Sequence, residues 1–380
     1  MTLLQMPLPP FNLLAWLPII MVVIFIHELG HFLVARWCGV KVATFSIGFG
    51  PELAHRFDRH GTRWRLAAIP IGGYVKFAGD DNAASVPSPD AISKMTPEER
   101  EGAFPLKPLW QRAAVVAAGP GANFLSAILI FAAVAYVSGI TIQPKPTIEV
   151  QPGSAAAKAG ILTGDVISHV EGRPIRDFAA LLRVMSTAPT DRALKVEVVR
   201  EDQPKVFMVL AEQKTVDDGF GGKDTRPMLG VKLLVDRDKI ERIQPSIFGA
   251  LVHGVGMTWQ VITDTVNAMT HWSFFQKVGG LPTMIDVSNK VATFGILPTL
   301  TLIALLSVSI GFINLMPIPI LDGGHLMFYA AEAVRGKPLS EQAQEVGFRI
   351  GFALVCSLML LALWNDRFRV CRWIGLDCTG

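Results

Sequence analysis

Residues 13–37 carry scarcely a polar side chain until the chain reaches His27-Glu28-Leu29-Gly30-His31. A run of that length crosses a bilayer as a helix, which takes about 20 apolar residues. Two imidazoles and a carboxylate are costly in hydrocarbon, and ionisable groups inside a span mark functional sites by default. Whatever fold the chain adopts must bring something to these three side chains that stabilises them at membrane depth.

On a helix, positions i and i+4 share a face, so His27 and His31 converge on one point while Glu28 lies one step round. Two imidazole nitrogens beside a carboxylate form the His-Glu-x-x-His arrangement of zinc sites, with the histidines as ligands and the glutamate as general base to a water. Treating them as core histidines explains each residue singly, but not all of them together at metal-ligand spacing.

The rest of the chain fits a polytopic membrane protein. Hydrophobic residues make up 51% and charged residues 18% of the sequence, and mean hydropathy is +0.40. Further apolar runs at 113–142 and 292–321 are long enough to span; the run at 351–364 is shorter and spans if its flanks tilt or snorkel. About four transmembrane helices are therefore predicted. The first run has no basic residue ahead of it and no small-residue cleavage site after it, so it is expected to stay in place rather than act as a signal peptide. A net charge of +3, with no basic patch interleaved with aromatics, argues against nucleic acid as a partner. Cys38, Cys356, Cys371 and Cys378 lack zinc-ribbon or redox-motif spacing, although Cys371 and Cys378 can pair in an oxidising compartment. Arg36, Lys41, Arg56, Arg59, Arg63, Arg65 and Lys76 follow the first span, which places the N-terminus outside and residues 38–112 in the cytoplasm. The middle of the chain is then outside, and Arg335, Lys337 and Arg349 mark a second cytoplasmic loop.

Between the first two spans, residues 42–49, 63–69 and 74–77 read as strands broken by Gly48, Gly50-Pro51, His60-Gly61 and Gly72-Gly73. Such a sheet, directly after the helix with the histidines, either lies against or dips into the membrane, or stands as an ordinary cytosolic hairpin. In the first case an exposed edge would accept an unwound substrate segment through main-chain hydrogen bonds. Residues 80–101 are polar and read as a linker. The second span opens with Ala118-Gly119-Pro120-Gly121-Ala122-Asn123, whose small residues permit close helix approach and whose asparagine can hydrogen-bond across helices and order the site. Residues 147–213 have the texture of a small α/β module, with strands at 147–151, 166–171, 194–200 and 206–210 and helices at 154–159 and 177–185. Residues 217–224 are Gly-rich and polar, and 243–263 reads as an amphipathic helix in the membrane interface.

A catalytic zinc takes three protein ligands and keeps a place for water. Two histidines leave one ligand to find. Asn314-Leu315-Met316-Pro317-Ile318-Pro319-Ile320-Leu321-Asp322-Gly323-Gly324 ends the third long run, and its prolines remove donors and break the helix. Asp322 can swing in as an oxygen ligand, and Asn314 can hydrogen-bond substrate backbone. His325 is the rival ligand, with Asp322 favoured because it lies closest to the break.

The string Pro152-Gly153-Ser154-Ala155-Ala156, Ala159-Gly160-Ile161, Gly164-Asp165-Val166-Ile167 and Val170-Glu171-Gly172 resembles a PDZ domain of the bacterial type. With the His27-to-His31 motif, Gly119-Pro120 and Asn123, and Asn314, Pro317, Pro319 and Asp322-Gly323, the whole chain resembles the site-2 protease family (M50), in its bacterial regulator-of-sigma-E protease type. It departs from that type in having room for one PDZ domain where many members carry two. It also reads Gly279-Gly280-Leu281-Pro282 where the family has Gly-Gly-Pro.

The resemblance implies an α-helical polytopic membrane protein with a membrane-associated β-sheet and one inserted extracytoplasmic PDZ domain. Its parts would be an N-terminal membrane core at 1–145, the PDZ domain at 146–214, a linker at 215–242 and a C-terminal membrane core at 243–380. It implies one zinc ion held by His27, His31 and Asp322, with Glu28 as base, and Asn314, Pro317, Pro319 and Asn123 at the substrate. The activity implied is endoproteolysis inside the bacterial inner membrane. Its substrates would be single-pass proteins such as anti-sigma factors, or signal-peptide remnants, with the active site toward the cytoplasm and the PDZ domain periplasmic. The lipid bilayer is one partner; peptide or a substrate ectodomain meets the PDZ domain, which either binds it or excludes it by size. The alternative from another class is a PDZ-bearing membrane scaffold or sensor whose metal site is vestigial.

Overall fold

The structure is a computed structural model that describes residues 16–78, 95–142, 146–186, 188–217, 223–234, 241–271, 274–275 and 278–373. Two compact units divide the chain: the first is drawn from Met1–Ala135, Ile247–Ala268 and Lys277–Arg367, the second from Tyr136–Ser246, Met269–Gln276 and Phe368–Gly380.

The first unit opens with α1 (Trp16–Trp37). Gly39 ends it at φ +67°, and the amide of Val40 reaches back to the carbonyl of Ala35 at 2.8 Å, a left-handed helix end that only glycine adopts without strain. The chain then enters β1 (Val42–Phe57) and β2 (Arg63–Phe77), longer and more continuous than the three short strands expected. Both strands bend, so residues pair on two sides. Thr44 and Ile47 face Lys76 and Gly73 on one side, and Arg63 and Leu66 on the other. Residues 63–67 also face 57–52, which leaves 73–77 at one margin of the folded sheet. Phe45, fully buried, stacks on Trp64 at 4.4 Å and meets Phe32 edge-on at 5.5 Å, fastening the sheet to α1. A short helix, α2 (Pro97–Glu101), with a Thr96–Glu99 capping box, precedes α3 (Leu109–Ser138). Residues 80–94 of the expected linker lie outside those described.

The second unit begins with β3 (Ile140–Ile142) and β4 (Ile148–Val150), followed by α4 (Ala155–Lys158), β5 (Val166–Val170), β6 (Arg173–Pro174) and α5 (Phe178–Ser186). Next come β7 (Ala193–Arg200), β8 (Gln203–Leu210), β9 (Glu212–Asp217), β10 (Lys223–Met228), β11 (Val231–Leu233) and β12 (Glu241–Ile243). Strands β6-β5-β7-β8 make a four-stranded sheet, and β12 pairs with β3. Alternate residues Leu194, Val196 and Val198 point inward and meet Ile148, Ile161, Ile167, Leu181 and Val209 in an apolar core. Each such side chain contributes about 1.5–3 kcal/mol. Arg200 clasps the buried carboxylate of Asp165 through two 2.7 Å contacts. The stretch expected as a linker, 215–242, contains β10 and β11, and β11 pairs with β4. That pairing joins residues far apart in sequence, which the local Gly-rich composition conceals.

The first unit resumes with α6 (Ile247–Met269), α7 (Leu281–Ala292), α8 (Ile296–Asn314), α9 (Asp322–Arg335) and α10 (Glu341–Asn365); α11 (Arg367–Trp373) follows. Among the described residues four helices are long and apolar enough to cross a membrane: α1, α3, α8 and α10, with hydropathies of 2.1, 1.8, 2.3 and 2.2. They match the expected runs to within a turn or two at their ends, except that α10 starts well ahead of the run predicted at 351–364. Outward-facing Phe352, Met359, Leu360 and Trp364 on α10 are all at least 60% exposed, a surface that suits lipid rather than water. The region predicted as an interfacial helix becomes α6. Its small buried face of Ala250, Gly254 and Thr258 packs on α3, where a Cβ at Gly254 would lie 2.3 Å from the Ile128 carbonyl oxygen.

Candidate metal centre

The site starts from a helix crossing. A Cβ on Gly30 of α1 would come within 2.3 Å of the Ala118 carbonyl oxygen, so α1 and α3 approach almost backbone to backbone. This brings Gly119 beneath the two imidazoles: a Cβ there would sit 2.3 Å from His31 Nε2 and 2.9 Å from His27 Cε1. His31 Nδ1 lies 2.9 Å from the Val115 carbonyl oxygen. A carbonyl only accepts, so Nδ1 carries the proton and Nε2 is left with a bare lone pair. On the other side of the glycine, the fully buried Asn123 approaches His27 Nδ1 at 3.3 Å through its amide nitrogen.

The third component comes from α9. After α8 ends at Asn314, the chain folds tightly back on itself. Cβ atoms at Gly323 and Gly324 would lie 2.3 Å from the carbonyl oxygens of Leu315 and Ile318, so neither position has room for a side chain. Asp322 thus emerges in the first turn of α9. Its Oδ2 is 3.2 Å from His27 Nε2 and 3.5 Å from His31 Nε2, and the two Nε2 atoms are 3.2 Å apart. Ligands at 2.0–2.1 Å from a tetrahedral zinc stand about 3.3–3.4 Å from one another. The triangle therefore has the dimensions of one face of such a tetrahedron. Asp322 Oδ2 is buried with no hydrogen-bond partner and faces the Nε2 atoms of both imidazoles. A divalent cation fits this donor set, and it is the group of three or more His, Cys, Asp or Glu found at metal-binding distances among the described residues.

Glu28 shares a cavity of about 490 Å³ with all three, walled on one side by Gly73, Tyr74 and Val75 of the sheet margin. The Val75 backbone hydrogen-bonds the Glu28 carboxylate, and a Cβ on Gly73 would lie 3.3 Å from Glu28 Cγ. His325, the rival ligand, lines the same cavity but turns its ring toward Phe348, with centroids 5.5 Å apart, and is not part of the triangle. Behind Asp322, α9 is held to the second span by Arg112, which pairs with Glu332 at 2.5 Å and lies 5.0 Å over the Tyr329 ring.

The other residues expected at substrate have the following surroundings. Asn314 donates its amide to the Ile310 carbonyl at 3.0 Å, within its own helix. Pro319 packs on α10, 3.3 Å from where a Cβ on Gly351 would be, and Pro317 is exposed. Of this segment, Ile320 reaches the cavity wall. Asn123 faces His27 rather than the cavity. The Val115 carbonyl is the contributor that the sequence reading missed, and Gly119, expected there to let helices approach closely, also makes room for both imidazoles. Their signal was the four-residue spacing of 115, 119 and 123, which sets one helix stripe against the His27 and His31 stripe.

The sequence pattern of peptidase family M50 matches residues 15–358. The chain belongs to peptidase family M50. Relatives in the family include a protein of Agrobacterium fabrum named as a zinc metalloprotease, 44% identical over 353 residues, covering 92% of this chain and 93% of its own length. Metalloprotease MmpA of Caulobacter vibrioides is 38% identical, covering 96% and 97%. Regulator of sigma-E protease RseP of Escherichia coli is 33% identical, covering 92% and 96%. The site-2 protease resemblance therefore holds over most of the chain, and the chain is a zinc metalloprotease of the intramembrane type.

Proposed function

We propose that this protease cuts transmembrane segments of single-pass membrane proteins, with one zinc held by His27, His31 and Asp322 and with Glu28 as general base. The reading rests on one observation: three donor atoms at tetrahedral spacing share a cavity with a carboxylate and a strand margin. When bound, the ion supplies Lewis acidity at the scissile carbonyl and acidifies a water. Glu28 takes the proton of the attacking water and returns it to the leaving amine. A helical substrate hides its carbonyls in internal hydrogen bonds, so it must unwind first. Residues 73–77 offer main-chain groups beside Glu28 on which an unwound segment pairs as an added strand. Small or helix-breaking residues in the substrate aid that step, and anti-sigma-factor-like proteins and signal-peptide remnants are the substrate classes that fit.

The Lys and Arg distribution supports an inner-membrane orientation with the site toward the cytoplasm and the second unit in the periplasm. We assign residues 146–214, completed by β11, to a PDZ domain. A groove between α5 and residues 227–231, lined by Leu181, Met185, Leu229 and Gly230, supports this reading as a seat for an extended peptide. The test uses purified full-length protein with labelled single-span peptides, with and without chelator, and the cut mapped by mass. Cleavage inside the apolar segment, abolished by chelator and by Glu28→Gln while zinc content is kept, supports the reading. A Glu28→Gln protein that still cuts defeats it.

A further inference from the structure

A stripe of α3 backs both imidazoles, with Val115 at His31, Gly119 between, and Asn123 at His27. The Val115 carbonyl fixes the His31 tautomer, and Asn123 occupies the matching position for His27. Its side chain is fully buried. The amide nitrogen is 3.3 Å from His27 Nδ1, while the amide oxygen is buried with no hydrogen-bond partner.

Two arrangements satisfy this contact. In one, the amide nitrogen donates to Nδ1; the ring proton then sits on Nε2 and meets Asp322 Oδ2 at 3.2 Å, which leaves His27 no lone pair for a cation and the amide oxygen orphaned. In the other, the amide is turned end for end, its oxygen accepts a proton from Nδ1, and Nε2 is bare. Oxygen and nitrogen of an amide have nearly the same shape, so the turn disturbs no packing. Only the second arrangement gives His27 the same state that the Val115 carbonyl gives His31. It also relieves the orphaned oxygen.

We propose that Asn123 is the positioning residue of His27: its Oδ1 accepts the Nδ1 proton and so holds the ring in the tautomer and orientation that present Nε2 to the metal. Groups bonded to the outer nitrogen of a ligand histidine tune metal affinity in this way. The proposal rests on the ligand assignment above, and one experiment separates the two.

Full-length wild type, Asn123→Leu, Asn123→Asp and His27→Ala are compared in nanodiscs by zinc affinity, measured in competition with a chelator. Asn123→Leu keeps the volume and removes the acceptor, and should weaken zinc about 10–100-fold. Asn123→Asp keeps an acceptor and should bind at least as tightly as wild type. Wild-type affinity in Asn123→Leu overturns the proposal, and so does a loss in Asn123→Asp equal to that in Asn123→Leu. If His27→Ala binds zinc like wild type, the ligand set itself is wrong; if it loses zinc while Asn123→Leu does not, only the role of Asn123 fails. The wild-type chain provides a check independent of any variant's folding. With zinc bound, ¹⁵N-histidine spectra should show the His27 Nδ1 proton hydrogen-bonded to the Asn123 side-chain oxygen; an Nδ1 proton without that partner overturns the proposal.

Discussion

Adding one methyl group at Gly119 should remove the metal while leaving the fold intact. A Cβ at this position would stand 2.3 Å from His31 Nε2, 2.5 Å from His31 Cε1 and 2.9 Å from His27 Cε1. Ordinary contact begins near 3.4 Å, so the His31 ring must retreat by about 1 Å, whereas metal–ligand distances tolerate only about ±0.2 Å. Overpacking costs about 1–3 kcal/mol. Alanine is also the better helix former by about 1 kcal/mol, which offsets part of that. Gly119→Ala should therefore unfold within about 2 kcal/mol of wild type yet lose at least 10-fold in zinc affinity, since an outer contact alone is worth about 10–100-fold. Gly121→Ala is the control, because a Cβ there meets nothing within 4 Å on the same helix. Zinc content by elemental mass spectrometry, chelator competition and equilibrium unfolding in mixed micelles supply the measurements. If Gly119→Ala and Gly121→Ala bind zinc alike, the cradle argument is wrong.

Three further outcomes are expected. The Arg112–Glu332 pair, each side chain 16% exposed, should show a coupling of about 1–3 kcal/mol in a double-mutant cycle of unfolding; a coupling near zero would mean that it does not clasp α9. Asp366, buried, accepts the amides of Gly280 and Thr283 at 2.8 and 3.1 Å and so caps α7 from the end of the last span; Asp366→Ala should cost about 1–3 kcal/mol, and an unchanged unfolding midpoint would refute the cap. At Asp58, burial pushes the carboxyl up, but hydrogen bonds from the Trp64 indole and the His60 and Thr62 amides, with Arg36 alongside, outweigh it and hold the group at about 2. Its folded value lies below its unfolded one, so it stabilises above about pH 4, and that contribution fades as pH falls toward about 2. The stability gap between wild type and Asp58→Asn should shrink across that window, and a gap independent of pH would contradict the argument.

The parts of this molecule that declare themselves in sequence are those set by local pattern. The apolar runs became α1, α3, α8 and α10 because membrane helices form from contiguous composition. His27, His31 and Asp322 met because each is expensive where it stands. What stayed hidden depends on chain segments meeting at a distance. Gly119 and Gly121 look alike on paper, yet one touches both imidazoles and the other touches nothing. The partner of Arg112 is 220 residues away. Residues 215–242 looked like a tether because Gly-rich composition says nothing of the pairing of β11 with β4. The packing of Asn314 against its own helix and of Pro319 against α10 was likewise invisible in the local pattern.

The cluster draws its histidines from the first span and its aspartate from a helix close to the last one. A ribosome releases those pieces in that order, and the aspartate is far behind. Throughout most of its own synthesis the protein therefore lacks a complete set of donors. Under the proposed reading it is inert while it is being made, and becomes competent only once its closing helices have come in beside the opening one.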